Sequence, residues 1–147
     1  MRKNNLVFVF IGLTLFLLCT SDARACICDP ESTKSRVNRM KEVADAIFVG
    51  TVETVEQKYG SLGRRLVYKV TLKVTLSWKK SSPTSIEVFT PAGCDVFFEV
   101  GQKYLVYARR NTFDVLETDL CMGTGLLEFR TRDVKRLGKG IVMQTSS

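Results

Sequence analysis

The sequence predicts a mainly β domain: a small closed barrel of five strands, with a helix at each end and two disulfides. Three observations support this fold class: one long stretch of strictly alternating residues, four shorter strand-like runs separated by turn residues, and four cysteines after a predicted leader. The chain has 147 residues, of which 45% are hydrophobic and 25% charged. This is enough for one domain with a substantial core and too little for two.

Residues 1–25 predict a signal peptide. Two basic residues at positions 2 and 3 precede the apolar run Leu6–Leu18, and Ala23–Ala25 supply an A-x-A cleavage site. The run is shorter than the roughly 20 residues that a spanning helix needs. A lipid anchor is the competing interpretation, but Leu18 is too large a neighbour for modification of Cys19. We therefore expect a secreted, extracellular domain of residues 26–147 that begins at Cys26.

The predicted mature chain is basic and contains an even number of cysteines. It has 122 residues with 19 basic and 14 acidic side chains, a net charge of +5, and keeps Cys26, Cys28, Cys94 and Cys121. Four cysteines in an oxidising compartment favour two disulfides over metal binding or redox chemistry. Cys26 and Cys28 lie about 6.6–7 Å apart in an extended chain, at or beyond the favourable disulfide range. Each is expected to bond a distant cysteine, which leaves two pairings open.

The sequence contains no histidine. This excludes Ser-His-Asp and Cys-His catalysis as well as His-ligated zinc, and it removes the usual general base at neutral pH. We therefore expect a protein that is not an enzyme and has no cofactor of its own.

The clearest strand is Leu66–Trp78. Its apolar residues alternate with mostly polar ones, which indicates a strand with one buried face. The apolar positions are Leu66, Tyr68, Val70, Leu72, Val74, Leu76 and Trp78. Thirteen residues at about 3.3 Å each span about 43 Å, too long for a flat strand in a small domain, so the strand is expected to coil around a barrel.

Four further strands are predicted around this one. They are Ala46–Glu56, Ser85–Thr90, Lys103–Arg109 and Phe113–Thr118. Turn signals separate them. These are Gly60 with Gly63, Ser81 to Pro83, and Arg110 to Thr112.

One helix is predicted before the first strand and another near the end of the chain. Ser32 or Thr33 can cap a helix that runs to about Asp45. Its apolar face is formed by Val37, Met40, Val43 and Ala44, which are spaced to pack on the barrel. A second, short helix is predicted at Thr131–Leu137, and the last residues, Gln144–Ser147, are expected to fray.

The predicted mature N-terminus, Cys26 to Pro30, carries the most specific signal. A terminal amine normally frays, but two crosslinks within three residues would hold this one rigid. A neutral amine and the carbonyl oxygen of the same residue form a five-membered chelate ring on a metal ion. The simpler interpretation is a pair of structural disulfides with no role for the amine.

Several motifs resemble one family. The first is Cys26-x-Cys28-x-Pro30 at the cleavage site. The others are Ile47–Thr51, Thr90–Ala92 before Cys94, the motif Gly101-x-x-Tyr104-Leu105-Val106-Tyr107-Ala108, and Cys121 after Leu116-x-Thr118. Over essentially the whole mature chain, the sequence is similar to the tissue inhibitors of metalloproteinases and the wider netrin-like modules. The resemblance implies a five-stranded OB-type barrel with flanking helices. It also implies that Cys26 pairs with Cys94 and Cys28 with Cys121.

The resemblance implies a function as an inhibitor of zinc metalloendopeptidases. In such inhibitors the N-terminal amine and carbonyl bind the zinc of the protease, which keeps an open water position. Carried over, Cys26 binds the protease zinc and Ile27 enters the S1′ pocket. The expected protease-binding residues are Cys26, Ile27, Cys28, Asp29, Pro30, Ala92, Gly93 and Cys94. The vertebrate inhibitors have twelve cysteines and a second domain, and they usually carry Thr or Ser where this chain has Ile27.

The alternative interpretation is a non-inhibitory extracellular netrin-like module that binds matrix glycosaminoglycans or another protein. Lys69 and Lys73 share the outward face of the long strand. More cations lie at its ends, namely Arg64, Arg65, Lys79 and Lys80. These residues form a stripe suited to sulfate groups, although a solvated charged edge is the simpler interpretation. The strands lack a row of outward aromatics, so we expect no nucleic-acid partner, and we expect no membrane partner.

Overall fold

Five strands close into a barrel in the computed structural model, which describes residues 26–59, 66–79 and 83–143. The predicted signal peptide, the turn around Gly60 and Gly63, and residues 144–147 lie outside these ranges. The described elements are α1 (Thr33–Val43), β1 (Ala46–Tyr59), β2 (Leu66–Ser77), β3 (Ser85–Pro91), β4 (Lys103–Arg110), β5 (Leu116–Glu117), a 3₁₀ helix (Leu120–Met122), β6 (Gly125–Leu126), a second 3₁₀ helix (Leu127–Arg130), α2 (Thr131–Leu137) and β7 (Ile141–Val142).

The strand pairings form a closed ring. β1 is antiparallel to β2 along most of its length and to β4 along its first half. β2 pairs antiparallel with β3, β3 pairs parallel with β5 at Phe89 and Glu117, and β5 pairs antiparallel with β4. The predicted five-stranded OB-like barrel, with two helices and two disulfides, is therefore confirmed. Within the described ranges, no helix has the length and apolar character needed to cross a membrane.

One predicted strand, Phe113–Thr118, is mostly a turn. Only Leu116–Glu117 pairs with neighbouring strands. The Asn111 side-chain oxygen accepts hydrogen bonds from the backbone N–H groups of Phe113 and Val115, at 2.8 and 3.1 Å. This side-chain capping turns the chain locally and competes with strand pairing.

Two hydrophobic cores lie on opposite faces of β1 and β4. Inside the barrel, Phe48 and Val106 are fully buried, while Ile47 and Tyr107 are buried on the outer face beneath the helices. Strands covered on both sides lack a solvent face, which explains why both contain continuous apolar runs. The helices therefore pack against the outer wall of the barrel.

Helix α1 begins at Thr33, as the sequence predicts, and ends at Val43, two residues before the predicted end at Asp45. The Ser32 hydroxyl oxygen accepts a hydrogen bond from the Ser35 backbone N–H at 3.1 Å, which makes Ser32 the N-cap. Val37, Met40 and Ala44 are buried as expected, but Val43 is 50% exposed. Val43 was wrongly placed in the core: it lies at the edge of the apolar face, one residue before Ala44 takes an extended conformation.

Ser77 departs from the alternation of β2. It falls on the polar side of the pattern but is completely buried. Strand β7 pairs with the end of β2, with Ile141 opposite Ser77. The Ser77 hydroxyl donates to backbone carbonyl oxygens of Ile47 and Lys79. The cause of this departure is a register shift in the pairing of β2 with β1, between Val49 and Gly50. Beyond it Ser77 lies opposite Phe48 of the barrel core, whereas Leu76 and Trp78, predicted to share the buried face of Val74, pack against the outer core instead.

A buried ion pair fastens both helices to the barrel. The Asp133 side chain on α2 is 1% exposed and accepts two hydrogen bonds from the Arg36 guanidinium on α1, at 2.8 and 3.1 Å. Its carboxylate also accepts from the Tyr107 hydroxyl on β4, at 3.2 Å. Burial and the Asp133 charge raise the pKa of Tyr107. Gly123 has a φ of +88°, and a side chain there would collide with Arg36.

We expect Asp133→Asn to lower the free energy of unfolding by about 3–5 kcal/mol, because it leaves the partly buried Arg36 guanidinium without its counter-charge. Urea denaturation measures this. The control is Asp114→Asn, which breaks an exposed ion pair with Arg110 and is expected to leave the midpoint nearly unchanged. Equal small changes in both variants would contradict the structural role of Asp133.

Candidate functional site

The segment Cys26–Pro30 is fixed to the barrel by two disulfides. Cys26 is bonded to Cys94 and Cys28 to Cys121, each with Cα atoms 5.1 Å apart. This is the pairing that the family resemblance implies. The bridges lie side by side, with 3.6 Å between the Sγ atoms of Cys26 and Cys121. Because these sulfurs are in disulfides, their clustering supplies no thiolates for a metal ion.

Between the two bridged cysteines, Ile27 points into solvent. Its side chain is 88% exposed, whereas Cys26 is partly buried. Cys28, Asp29 and Pro30 are also exposed. The backbone on each side of Ile27 is therefore crosslinked while the side chain itself contacts little of the protein.

The loop that contains Cys94 forms a turn beside this segment. Gly93 has a φ of +96°, in the region that favours glycine, and its N–H donates to the Asp95 carboxylate at 3.1 Å. The Cys94 N–H donates to the carbonyl oxygen of Pro91 at 3.4 Å. Ala92 and Gly93 are exposed. The structure thus brings all eight predicted residues together, and we call Cys26–Pro30 with Ala92–Cys94 the ridge.

The two distant cysteines are themselves connected through the backbone. The Leu120 N–H donates to the carbonyl oxygen of Cys94 at 3.1 Å. Asp119 caps the 3₁₀ helix that carries Cys121, because its carboxylate accepts from the Met122 N–H at 2.9 Å. Both anchoring points of the ridge therefore belong to one hydrogen-bonded platform.

Glu31 and Arg39 brace the ridge from the side of α1, through a contact that no local pattern in the sequence indicates. The Arg39 guanidinium donates to both Glu31 carboxylate oxygens, at 2.8 and 3.2 Å, and to the carbonyl oxygen of Cys121 at 3.2 Å. The hydrogen bond from Arg39 lowers the pKa of Glu31. Both side chains are partly exposed, so solvent screens the ion pair and its main effect is positional.

An open groove of about 480 Å³ runs beside the ridge. It is lined by Ile27, Cys28, Asp29, Pro30, Glu31, Arg39 and Cys121. Farther along the loop that follows the ridge, the Phe97 side chain is 80% exposed, while its neighbours Val96 and Phe98 are buried. All three residues are apolar, so the sequence holds no alternation that marks Phe97 as the outward side chain.

The expected basic stripe on β2 is partly neutralised. Lys69 forms an ion pair with Glu87 at 2.7 Å, while Lys73 is exposed. Lys79 donates to the carbonyl oxygen of Lys41 near the end of α1, at 2.7 Å. The other three stripe residues, Arg64, Arg65 and Lys80, lie outside the described ranges. Among the described residues, Lys73 is the stripe cation without a hydrogen-bonded or ionic partner.

No protein-family model matches the chain, and no curated protein matches it either. The described geometry is a rigid, exposed three-residue segment with an apolar side chain at its centre.

Proposed function

We propose that the mature protein inhibits zinc metalloendopeptidases, with Cys26 as its N-terminal residue after cleavage behind Ala25. The α-amine and the carbonyl oxygen of Cys26 bind the catalytic zinc of the protease. The observation that carries this proposal is the attachment of Cys26 and Cys28 by separate disulfides, with Ile27 88% exposed between them. The likeness of the motifs to tissue inhibitors of metalloproteinases supports the same role.

Rigidity is what makes a chain terminus an effective ligand. Fixing the backbone of one residue costs about 1–2 kcal/mol in conformational entropy, and a flexible terminus loses this entropy when it binds. The disulfides at Cys26 and Cys28 already order the segment during folding, so less of the contact energy is offset on association. The zinc of a metalloprotease keeps one position open for water, which the two donor atoms of Cys26 take over.

Ile27 supplies the apolar contact. A single exposed aliphatic residue is common on protein surfaces and by itself indicates nothing. Ile27 differs because the crosslinked backbone fixes its direction next to the chelating atoms. In the loop bonded to Cys26, Gly93 has no side chain, and apart from its chain neighbours no described atom lies within 4 Å of the space where a Cβ would be. A protease surface can therefore approach the backbone of this loop closely.

Ile27→Gly should weaken inhibition by about 1.5–3 kcal/mol, which is the apolar burial lost in the S1′ pocket. Inhibition constants against a panel of zinc metalloendopeptidases measure the effect. The melting temperature should hardly change, because the Ile27 side chain contacts little of its own protein. Ile141→Gly, which removes another exposed isoleucine, should leave inhibition unaltered. If Ile27→Gly also leaves it unaltered, Ile27 enters no pocket.

The Cys26 amine must be neutral to bind zinc. A free α-amine has a reference pKa of about 7.7–8.0, so protons compete with zinc increasingly as the pH falls below this range. Inhibition should therefore weaken at acid pH, after correction for the activity of the protease at each pH. Acetylating the amine, or leaving one extra alanine before Cys26, should abolish inhibition at every pH.

Both modified proteins must keep the two disulfides and the melting temperature of the unmodified protein, which serve as controls for folding. Full inhibition by a verified N-acetylated protein would rule out zinc binding by the amine.

A further inference from the structure

The two disulfides of the ridge have sulfur atoms in contact with each other. The Sγ atom of Cys121 lies 3.6 Å from that of Cys26, although the two residues belong to different disulfides. The sulfurs of Cys26, Cys28 and Cys121 all lie within 4.8 Å of one another. A sulfur–sulfur bond is about 2.05 Å long, so Cys26 and Cys121 would become bonded if their sulfurs approached by about 1.5 Å.

The four cysteines differ in their access to solvent. Cys28 is exposed, whereas Cys26, Cys94 and Cys121 are partly buried. Cys28 also lines the open groove beside the ridge. A thiolate exchanges with a disulfide by attacking a sulfur atom that it can reach, and exposed disulfides are the labile ones. A dissolved thiol therefore reaches the pair of disulfides most directly at Cys28.

We propose that Cys28 is a modification site for a low-molecular-weight thiol such as glutathione, and that its modification exchanges the two disulfides. The thiolate attacks the Sγ atom of Cys28, forms a mixed disulfide with it and releases Cys121 as a thiolate. The Cys121 thiolate attacks the Sγ atom of Cys26, and the bond from Cys26 to Cys94 breaks. The products are a thiol-modified Cys28, a bond between Cys26 and Cys121, and a Cys94 thiolate. One thiolate is consumed and one is released, so the exchange needs no oxidant.

The backbone around Cys121 is held by contacts other than its disulfide. The Asp119 carboxylate caps the 3₁₀ helix, the Leu120 N–H donates to the carbonyl oxygen of Cys94, and Arg39 donates to the carbonyl oxygen of Cys121. These contacts keep the Cys121 sulfur beside Cys26 after the bond to Cys28 has broken. Proximity of this kind favours attack on Cys26 over attack by a second dissolved thiol.

Attack at the other end of the same disulfide gives no productive exchange. It requires access to the partly buried Cys121 and releases Cys28 as the thiolate. Residues two apart in an extended chain have Cα atoms about 6.6–7 Å apart, at or beyond the favourable disulfide range. Cys28 is therefore poorly placed to bond Cys26, and the direction of the exchange is set by which sulfur is attacked first.

The exchanged form lacks both native anchors of the ridge. The Cys94 loop is no longer bonded to Cys26, and Cys28 is no longer bonded to the barrel, so Ile27 is crosslinked on one side only. The two hydrophobic cores are built from other residues, so the barrel is expected to stay folded. The consequence for inhibition rests on the proposed function: we expect a loss of about tenfold or more, because the segment must become ordered on binding.

Disulfide mapping of the mature protein tests the exchange. The protein is incubated with reduced glutathione at about pH 8, where part of the thiol is ionised, then quenched with acid, alkylated and digested. The first product should carry glutathione on Cys28, an alkyl group on Cys94 and a bond from Cys26 to Cys121. Fragmentation between Cys26 and Cys28 distinguishes this bond from the native one. A first product with glutathione on Cys94 or Cys121, or without the new bond, would overturn the proposal.

Two serine variants test the second step without glutathione. Cys28→Ser leaves Cys121 as a free thiol, which should exchange with the neighbouring disulfide, so alkylation of the folded protein should label both Cys94 and Cys121. The matched control is Cys121→Ser, which frees Cys28 and should be labelled at Cys28 alone. Equal labelling of Cys94 in both variants, or none in either, would contradict the exchange. If Cys28→Ser does not fold, mapping of the glutathione-treated protein decides the question.

Inhibition assays on the same glutathione-treated samples test the consequence for the ridge. Inhibition should fall in proportion to the fraction of chains with the bond from Cys26 to Cys121, while the circular dichroism of the barrel stays unchanged. Full inhibition by the exchanged form would overturn its regulatory role. A protein that inhibits no metalloendopeptidase before glutathione is added contradicts the proposed function alone, because the mapping experiment is read without a protease.

Discussion

The two disulfides that converge on Cys26 and Cys28 are the constraint on which the rest of the site depends. A terminal segment has few contacts and normally frays. Here the partner cysteines belong to a loop after β3 and to a 3₁₀ helix, and the hydrogen bond from Leu120 to Cys94 ties those two places together. Such crosslinked anchoring favours zinc binding by the amine, because the entropy lost in ordering a mobile terminus would offset part of its binding energy.

The contact between Arg36 and Asp133 fixes how the two helices lie on the barrel. It positions α1, whose Arg39 reaches from the helix to Glu31 and to the carbonyl oxygen of Cys121 beside the ridge. It also positions α2 and turns the acidic side chain of that helix inward, which leaves the basic residues of α2 facing solvent. The ion pair thereby orders the helix next to the ridge.

Periodicity predicted the long elements because a buried face repeats along them. The alternation of β2 and the apolar face of α1 both follow from the sequence, and α2 has the predicted bounds of Thr131–Leu137. A strict period of two assumes an unbroken register, so the shift opposite Val49 and Gly50, which turns Ser77 into the barrel and Leu76 out of it, was unforeseen. Geometry left two disulfide pairings open, and the family resemblance was needed to choose between them. The contacts of Asp133 and of Glu31 depend on tertiary packing and leave no local pattern.

Inhibition by zinc chelation, as proposed, depends on a free amine of Cys26 at a crosslinked chain terminus. N-terminal sequencing and intact-mass measurement of the protein recovered from the medium of secreting cells test for this amine. We expect a chain that starts at Cys26, with an unblocked amine and no free thiol among Cys26, Cys28, Cys94 and Cys121. A chain that starts at another residue, or a blocked amine on Cys26, would rule out the proposed mechanism.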